Sequence, residues 1–409
     1  MRVLVAWVLG LCVGCGSAAE PSALPPIESA PILENFPETP VIAEAPSAPP
    51  RLLAIDTHAD TTQRMLDMGD DLSARLPDGH VDLPRMREGG LSAIFLSIWV
   101  DPRRYEGEDG WARALALVRT VRDFAAAHPN DAALCTTADE VRAAHAAGRI
   151  ALLMGLEGAH ALGDADDDTL IARLGQLHAL GVRYVTVTWT GDNRFGHAST
   201  GGHASRGLTP LGRRLVREMN RLGVIVDVSH VSDRTAHDVL DVTTRPVIAS
   251  HSATRALSEH PRNVPDELIR RIAAGGGAVC VNFYAHFLDA DYGARRRALE
   301  HDHHAEFAHL RGRSWQTATE RNAIAARIDP ALRPPAVRVL ADHLAHVVAI
   351  GGEGAACLGS DFDGISELPE GMQDVADLPR LVEELTSREL PVAAIAGENV
   401  LRVLSAQTD

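Results

Sequence analysis

Short, almost uninterrupted apolar runs recur along the chain from Leu52 onward. Longer stretches separate them, in which apolar residues return every three or four positions. The runs are LLAID (52–56), LSAIFLSIWV (91–100), IALLMGLEG (150–158), YVTVTW (184–189), GVIVDVSH (223–230), PVIASH (246–251), GAVCVNFY (277–284) and ACLGSDFDG (356–364). Continuous apolar runs without strict alternation predict parallel strands covered on both faces. The stretches between them, such as WARALALVRTVRDFAAAH, TPLGRRLVREMNRLG and AVRVLADHLAHVVAIGG, predict amphipathic helices. Gly181, Gly223 and Gly277 stand where a helix gives way to the next strand. Eight β-α units in about 350 residues predict a (β/α)8 TIM barrel. The runner-up is an open, doubly wound sheet.

Residues 285–335 break this rhythm with a charged stretch containing ARRRALEHDHHAEFAHLRGR. It predicts a helical insertion between strands 7 and 8, over the barrel mouth. Its His301, His303 and His304 read as a solvated helix face rather than as metal ligands.

The first fifty residues follow a different pattern. MRVLVAWVLGLCVGC carries one basic residue and an apolar run too short to span a bilayer. Residues 1–14 read as an export signal. LCVGC resembles the lipobox of bacterial lipoproteins, which places a lipid on Cys15, although Cys12 stands where leucine is usual. Residues 16–50, rich in Pro, Ala, Ser and Glu, read as a disordered tether. The expected layout is therefore a signal peptide (1–14), a lipid-anchored cysteine with its tether (15–50) and one barrel domain (51–409). That layout predicts an exported, membrane-anchored envelope lipoprotein. Of the remaining cysteines, Cys280 and Cys357 lie in apolar runs and read as core residues. With Cys135 they make an odd number without CxxC spacing, so no disulfide framework is expected.

Composition narrows the chemistry. The net charge of −16 argues against nucleic acid as a partner. All 39 basic residues are arginine. The absence of lysine excludes Schiff-base chemistry, a pyridoxal-phosphate lysine, a Walker A loop and a carboxylated lysine between metals. Nineteen histidines make metal or acid–base chemistry worth locating.

In a TIM barrel the reactive groups sit at the C-terminal ends of the strands. His58 and Asp60, two apart in IDTHAD, point the same way from an extended chain. Glu157 ends strand 3 in GLEGAH, His230 ends strand 5, His251 strand 6, and Asp361 strand 8 in GSDFDG. Each alone reads as an ordinary loop residue; together they converge on one mouth. Three imidazoles and three carboxylates exceed the needs of one four-coordinate zinc and suit two metals. His58 and Asp60 are expected to hold one and His230 and His251 the other, with Glu157 bridging and Asp361 as general base. A second His-x-Asp, His80 and Asp82, has no strand before it and reads as a loop or helix cap. His160 is a weaker candidate near the mouth.

IDTHAD, GLEGAH, VDVSHVS, SHSATRALSEHPRNVPDEL, GGGAVCVNFY and GSDFDGI resemble, in order and spacing, the membrane (renal) dipeptidase family of the amidohydrolase superfamily. The resemblance runs from about Arg51 to the C-terminus. It implies a TIM barrel with two zinc ions bridged by a glutamate, acting on dipeptides, some with a D-residue second. It implies His58, Asp60, Glu157, His230 and His251 as ligands and Asp361 as the proton carrier. Arg262, in HPRNVPD, is implied as the group that binds the terminal carboxylate. A homodimer is implied by relatives that are often dimers. One departure stands out. Where many relatives have a histidine after strand 4, this chain has Trp189, which offers one N–H and no base. Trp189 is expected to touch the substrate or shape its pocket, and His197 lies a few residues on. The alternatives to a dipeptidase are a related hydrolase of another small amide or lactam, and a catalytically silent binding lipoprotein.

Overall fold

The computed structural model describes residues 52–311 and 315–408. The expected signal peptide, lipidated Cys15 and tether lie outside these residues. Nine parallel strands form one sheet: β1 (Ala54–Ala59), β2 (Leu91–Trp99), β3 (Ala132–Leu134), β4 (Ile150–Glu157), β5 (Val182–Thr186), β6 (Ile225–Asp227), β7 (Ile248–Ala249), β8 (Ala278–Val281) and β9 (Ala356–Leu358). The pairing runs β2-β1-β9-β8-β7-β6-β5-β4, and β2 also pairs with β4, closing an eight-stranded barrel. The short β3 hangs on the outside of β4. The TIM barrel expected from the run pattern is present, and the open doubly wound sheet is not. The sequence reading missed β3, because Ala-Ala-Leu after a long helix is too short to stand out as a run.

Two layers hold the barrel. Inside, Ile55, Phe95, Tyr184, Ile225 and Ile248 pack together across the strands. Outside, strand residues pack against the helices; Leu215, Val216 and Met219, for example, form the buried face of Pro210–Leu222. That helix begins where the Thr209 hydroxyl accepts the Gly212 N–H and ends at Gly223 in the left-handed region. A cap of this kind is worth about 1 kcal/mol. The helix Asp266–Ala274 stops at Gly275 rather than at the expected Gly277.

The expected insertion comprises the helices Ala285–Leu288, Ala290–Asp302, His304–Phe307 and Ala318–Ile328. Leu299, Phe307, Ile324 and Ala325 give it a small core of its own. It is tied to the segment after β9, at the mouth end: Arg296 pairs with Glu367 at 3.1 Å, and Asn322 donates to the Ser366 carbonyl at 2.9 Å. His301, His303 and His304 are exposed on it, as expected.

One expectation is corrected. Cys280 and Cys357 are core residues, but they are joined in a disulfide. They occupy facing positions on the neighbouring strands β8 and β9. Sequence spacing could not show this pair, because it depends on the barrel register rather than on a short motif. Cys135 is free and buried.

Candidate metal centre

His58 lies within β1, Asp60 just beyond it, and Glu157 is the last residue of β4. β6, β7 and β9 are shorter than the sequence runs, so His230, His251 and Asp361 sit two or three residues past their strands. Two of these take a left-handed backbone: φ is +67° at His230 and +64° at Asp361. Such a turn points the side chain back over the barrel end at a cost of order 1–3 kcal/mol each.

Three of the expected residues meet at Glu157. Its Oε2 lies 3.3 Å from His58 Nε2, and its Oε1 lies 3.0 Å from His230 Nε2 and 3.6 Å from His251 Nε2. His58, Asp60 and Asp361 form an adjoining set whose ligand atoms lie within 4.8 Å of one another. The Asp60 and Asp361 carboxylates converge above Gly364, where an added Cβ would fall 2.4 Å from each.

Other groups orient these side chains. His58 Nδ1 meets the buried Tyr184 hydroxyl at 2.7 Å. Gly155 makes room for that tyrosine, since a Cβ there would lie 1.9 Å from its ring. His251 Nδ1 donates to Ser250 Oγ at 2.7 Å, and Ser250 in turn donates to Asp227 at 2.7 Å. Ser97 donates to Glu157 Oε2 at 3.1 Å, and Asn282 to Asp361 Oδ2 at 2.9 Å. Partners of this kind fix the histidine tautomer and turn the second ring nitrogen toward a ligand. Sequence reasoning missed Tyr184, Ser97, Asp227, Ser250 and Asn282.

The geometry fits cations. His58 Nε2 and Asp60 Oδ1 are buried without a hydrogen-bond partner. His230 Nε2 and His251 Nε2 face each other at 2.9 Å, a separation two lone pairs do not tolerate without a proton or a cation between them. Burial opposes charge on His58, but Glu157, Asp60 and Asp361 outweigh it and push His58 up to about 10. Burial, reinforced by Arg262, takes His230 down to about 3 and also holds His251 well below its usual range. Burial, reinforced by Glu157, raises Asp60 well above the carboxylate range. Burial likewise pushes Asp361 up to about 6. Three carboxylates are crowded here with too little positive charge among the histidines to balance them.

The remaining candidates separate. Arg262 is buried, with Nη2 3.2 Å from the His251 carbonyl and Nη1 3.3 Å from Ser252 Oγ, and its guanidinium lies over the Phe287 ring. Burial lowers it to about 10, so it stays charged. Trp189 stands three residues past β5, its ring 4.9 Å from Trp99 and 6.4 Å from His230. His160 is taken up by the Val100 carbonyl at 2.8 Å. His197 bonds to the Gly207 carbonyl. Asp82 caps the helix Leu83–Glu88, and the His80 N–H donates to Asp363 Oδ1, so the second His-x-Asp is structural.

The family model described as membrane dipeptidase (peptidase family M19) matches residues 47–409. The chain belongs to this family. A membrane dipeptidase is a metal-dependent hydrolase, and the fit at Glu157 accords with that. An uncharacterised dipeptidase of Schizosaccharomyces pombe is 35% identical over 340 residues, 79% of this chain and 71% of the relative. A solved metallopeptidase of Rhodobacter sphaeroides, liganded with a phosphinate mimic of L-Ala-D-Ala, superimposes with TM-score 0.70. It is 28% identical and covers 87% of this chain and 99% of its own. The probable dipeptidase PvdM of Pseudomonas aeruginosa has the same fold, with TM-score 0.73 at 23% identity, 87% of this chain and 96% of its own.

Proposed function

We propose that this membrane dipeptidase hydrolyses small dipeptides, L,L or L,D, at a two-zinc centre bridged by Glu157. The observation that carries the reading is that the two oxygens of one carboxylate face different histidines, His58 on one side and His230 on the other. His58 and Asp60 would hold one ion, His230 and His251 the second. Bound there, the pair would acidify a water and stabilise the charge that develops on the attacked carbonyl.

The chain's own residues do the rest. The buried Arg262 pairs with the terminal carboxylate of the dipeptide and sets its direction across the mouth. Asn282 occupies Asp361 Oδ2, leaving Oδ1 to take the proton of the attacking water. The new C–O bond forms, the C–N bond breaks, and Asp361 returns the proton to the departing amine. Trp189 and Trp99 form an aromatic wall beside His230, where Trp189 offers a single N–H. A change of this kind at the substrate wall also supports a second reading, hydrolysis of another small amide or lactam at the same centre. That the Rhodobacter protein was solved with a mimic of L-Ala-D-Ala supports, for this chain, dipeptides with a D-residue second.

We also propose export with a lipid on Cys15. The Cys280–Cys357 disulfide supports the export, because such bonds persist in oxidising compartments.

The test is amino-acid release from L-Ala-L-Ala and L-Ala-D-Ala by the zinc-loaded chain, beside Asp361→Asn. The proposal expects release in the wild type and a loss of about 10²–10⁴-fold in the variant, the usual worth of a positioned acid–base group. A folded, zinc-loaded wild type that releases nothing would contradict it.

A further inference from the structure

The segment between β5 and the helix Pro210–Leu222 gathers a second set of ligand-type side chains. Asp192, His197 and His203 each offer one atom, and the three atoms lie within 4.8 Å of one another. His203 Nδ1 is 3.0 Å from Asp192 Oδ2. Two ligands on one tetrahedral zinc, with bonds of about 2.0–2.1 Å, stand about 3.3 Å apart. The two imidazoles cross at 79° with ring centres 5.9 Å apart.

The surroundings favour an ion over a simple surface pair. His197 Nδ1 donates to the Gly207 carbonyl at 2.7 Å, which places its proton there and leaves Nε2 with a lone pair. Asp192 Oδ1 accepts the Ala198 N–H at 2.9 Å, which aims Oδ2 at the cluster. Gly201 leaves space for that carboxylate; a Cβ there would lie 2.0 Å from Oδ1. An exposed His203–Asp192 pair would not need the His197 tautomer.

We propose that Asp192, His197 and His203 bind a divalent first-row transition ion, of which zinc is the probe, at a third site apart from Glu157. Two imidazoles and a carboxylate suit such an ion, with water completing the shell. The site would clamp the loop that carries Trp189. Thr200 Oγ1 donates to the Thr190 carbonyl at 2.8 Å. The same loop is stitched to the His230 segment: Ser199 N–H donates to the His230 carbonyl at 2.8 Å, and Ser232 N–H to the His197 carbonyl at 2.9 Å.

The experiment is zinc content per chain by elemental mass spectrometry. The purified full-length wild type, His197→Ala and His203→Ala are each dialysed against the same buffered micromolar free zinc. The proposal expects each variant to hold one zinc fewer than the wild type. That difference does not depend on how many ions the Glu157 centre holds or on what the enzyme cleaves. Equal zinc content in all three proteins would overturn it.

Discussion

His230, Asp361 and Asp363 hold φ angles of +67°, +64° and +61°, a conformation that side chains with a Cβ adopt at a cost. All three lie just past short strands at the barrel mouth, where the turn aims a side chain inward. The residue types at the strand ends were legible in the sequence, because six metal-type side chains at five strand ends form a pattern. Their supports were not. Tyr184, Ser97 and Ser250 lie within or beside apolar runs and resemble the small or aromatic residues that fill any barrel. Arg262 could be assigned by resemblance alone; the structure buries it beside the His251 carbonyl. Replacing it with lysine exchanges a planar fork for a point charge. Arg262→Lys is expected to raise KM for dipeptides about 10–100-fold with little change in kcat, the worth of one charge-assisted pair. For the corresponding dipeptide amides, which lack the carboxylate, the wild type and the variant are expected to differ little. A variant that loses as much on the amide as on the acid would show that Arg262 acts through the fold instead.

Among the elements, the long strands and the amphipathic helices announced themselves, while β3 and the disulfide did not. β3 has three residues, and the Cys280–Cys357 bond exists only once β8 and β9 are in register. The loop after β7 shows how an element is held in place. His343, on the helix Val337–Gly351, is buried; its Nδ1 accepts the Thr254 N–H at 3.1 Å and its Nε2 donates to the Leu288 carbonyl at 3.0 Å. A proton on Nδ1 would face a donor, and burial lowers the pKa of His343. Because the folded value lies below the unfolded one of about 6.5, its contribution is complete above that pH. It is lost as the pH falls from there through the folded value. Urea unfolding near pH 7.5 and pH 5.5 checks this. His343→Gln is expected to be less stable than the wild type at the higher pH and to lose less between the two. An equal or larger loss in the variant would remove His343 from the account.

At the scale of the whole molecule, closure is what turns a linear pattern into a site. β2 pairs with β4 and β1 with β9, so the ends of strands far apart in sequence surround Glu157. The number of β-α units made a barrel legible, but no run of residues states that β3 stays outside it. Charge follows the same logic. The acids at the mouth are spread over β1, β4 and β9, and only the closed barrel makes them a shared demand for cations. Glu157 is proposed to bridge two ions. Crystals of the zinc-loaded chain, measured on both sides of the zinc absorption edge, test it most directly. The account predicts two anomalous peaks sharing the Glu157 carboxylate, one also touching His58 and Asp60, the other His230 and His251. A single peak at Glu157, or none in a zinc-loaded crystal, would contradict it.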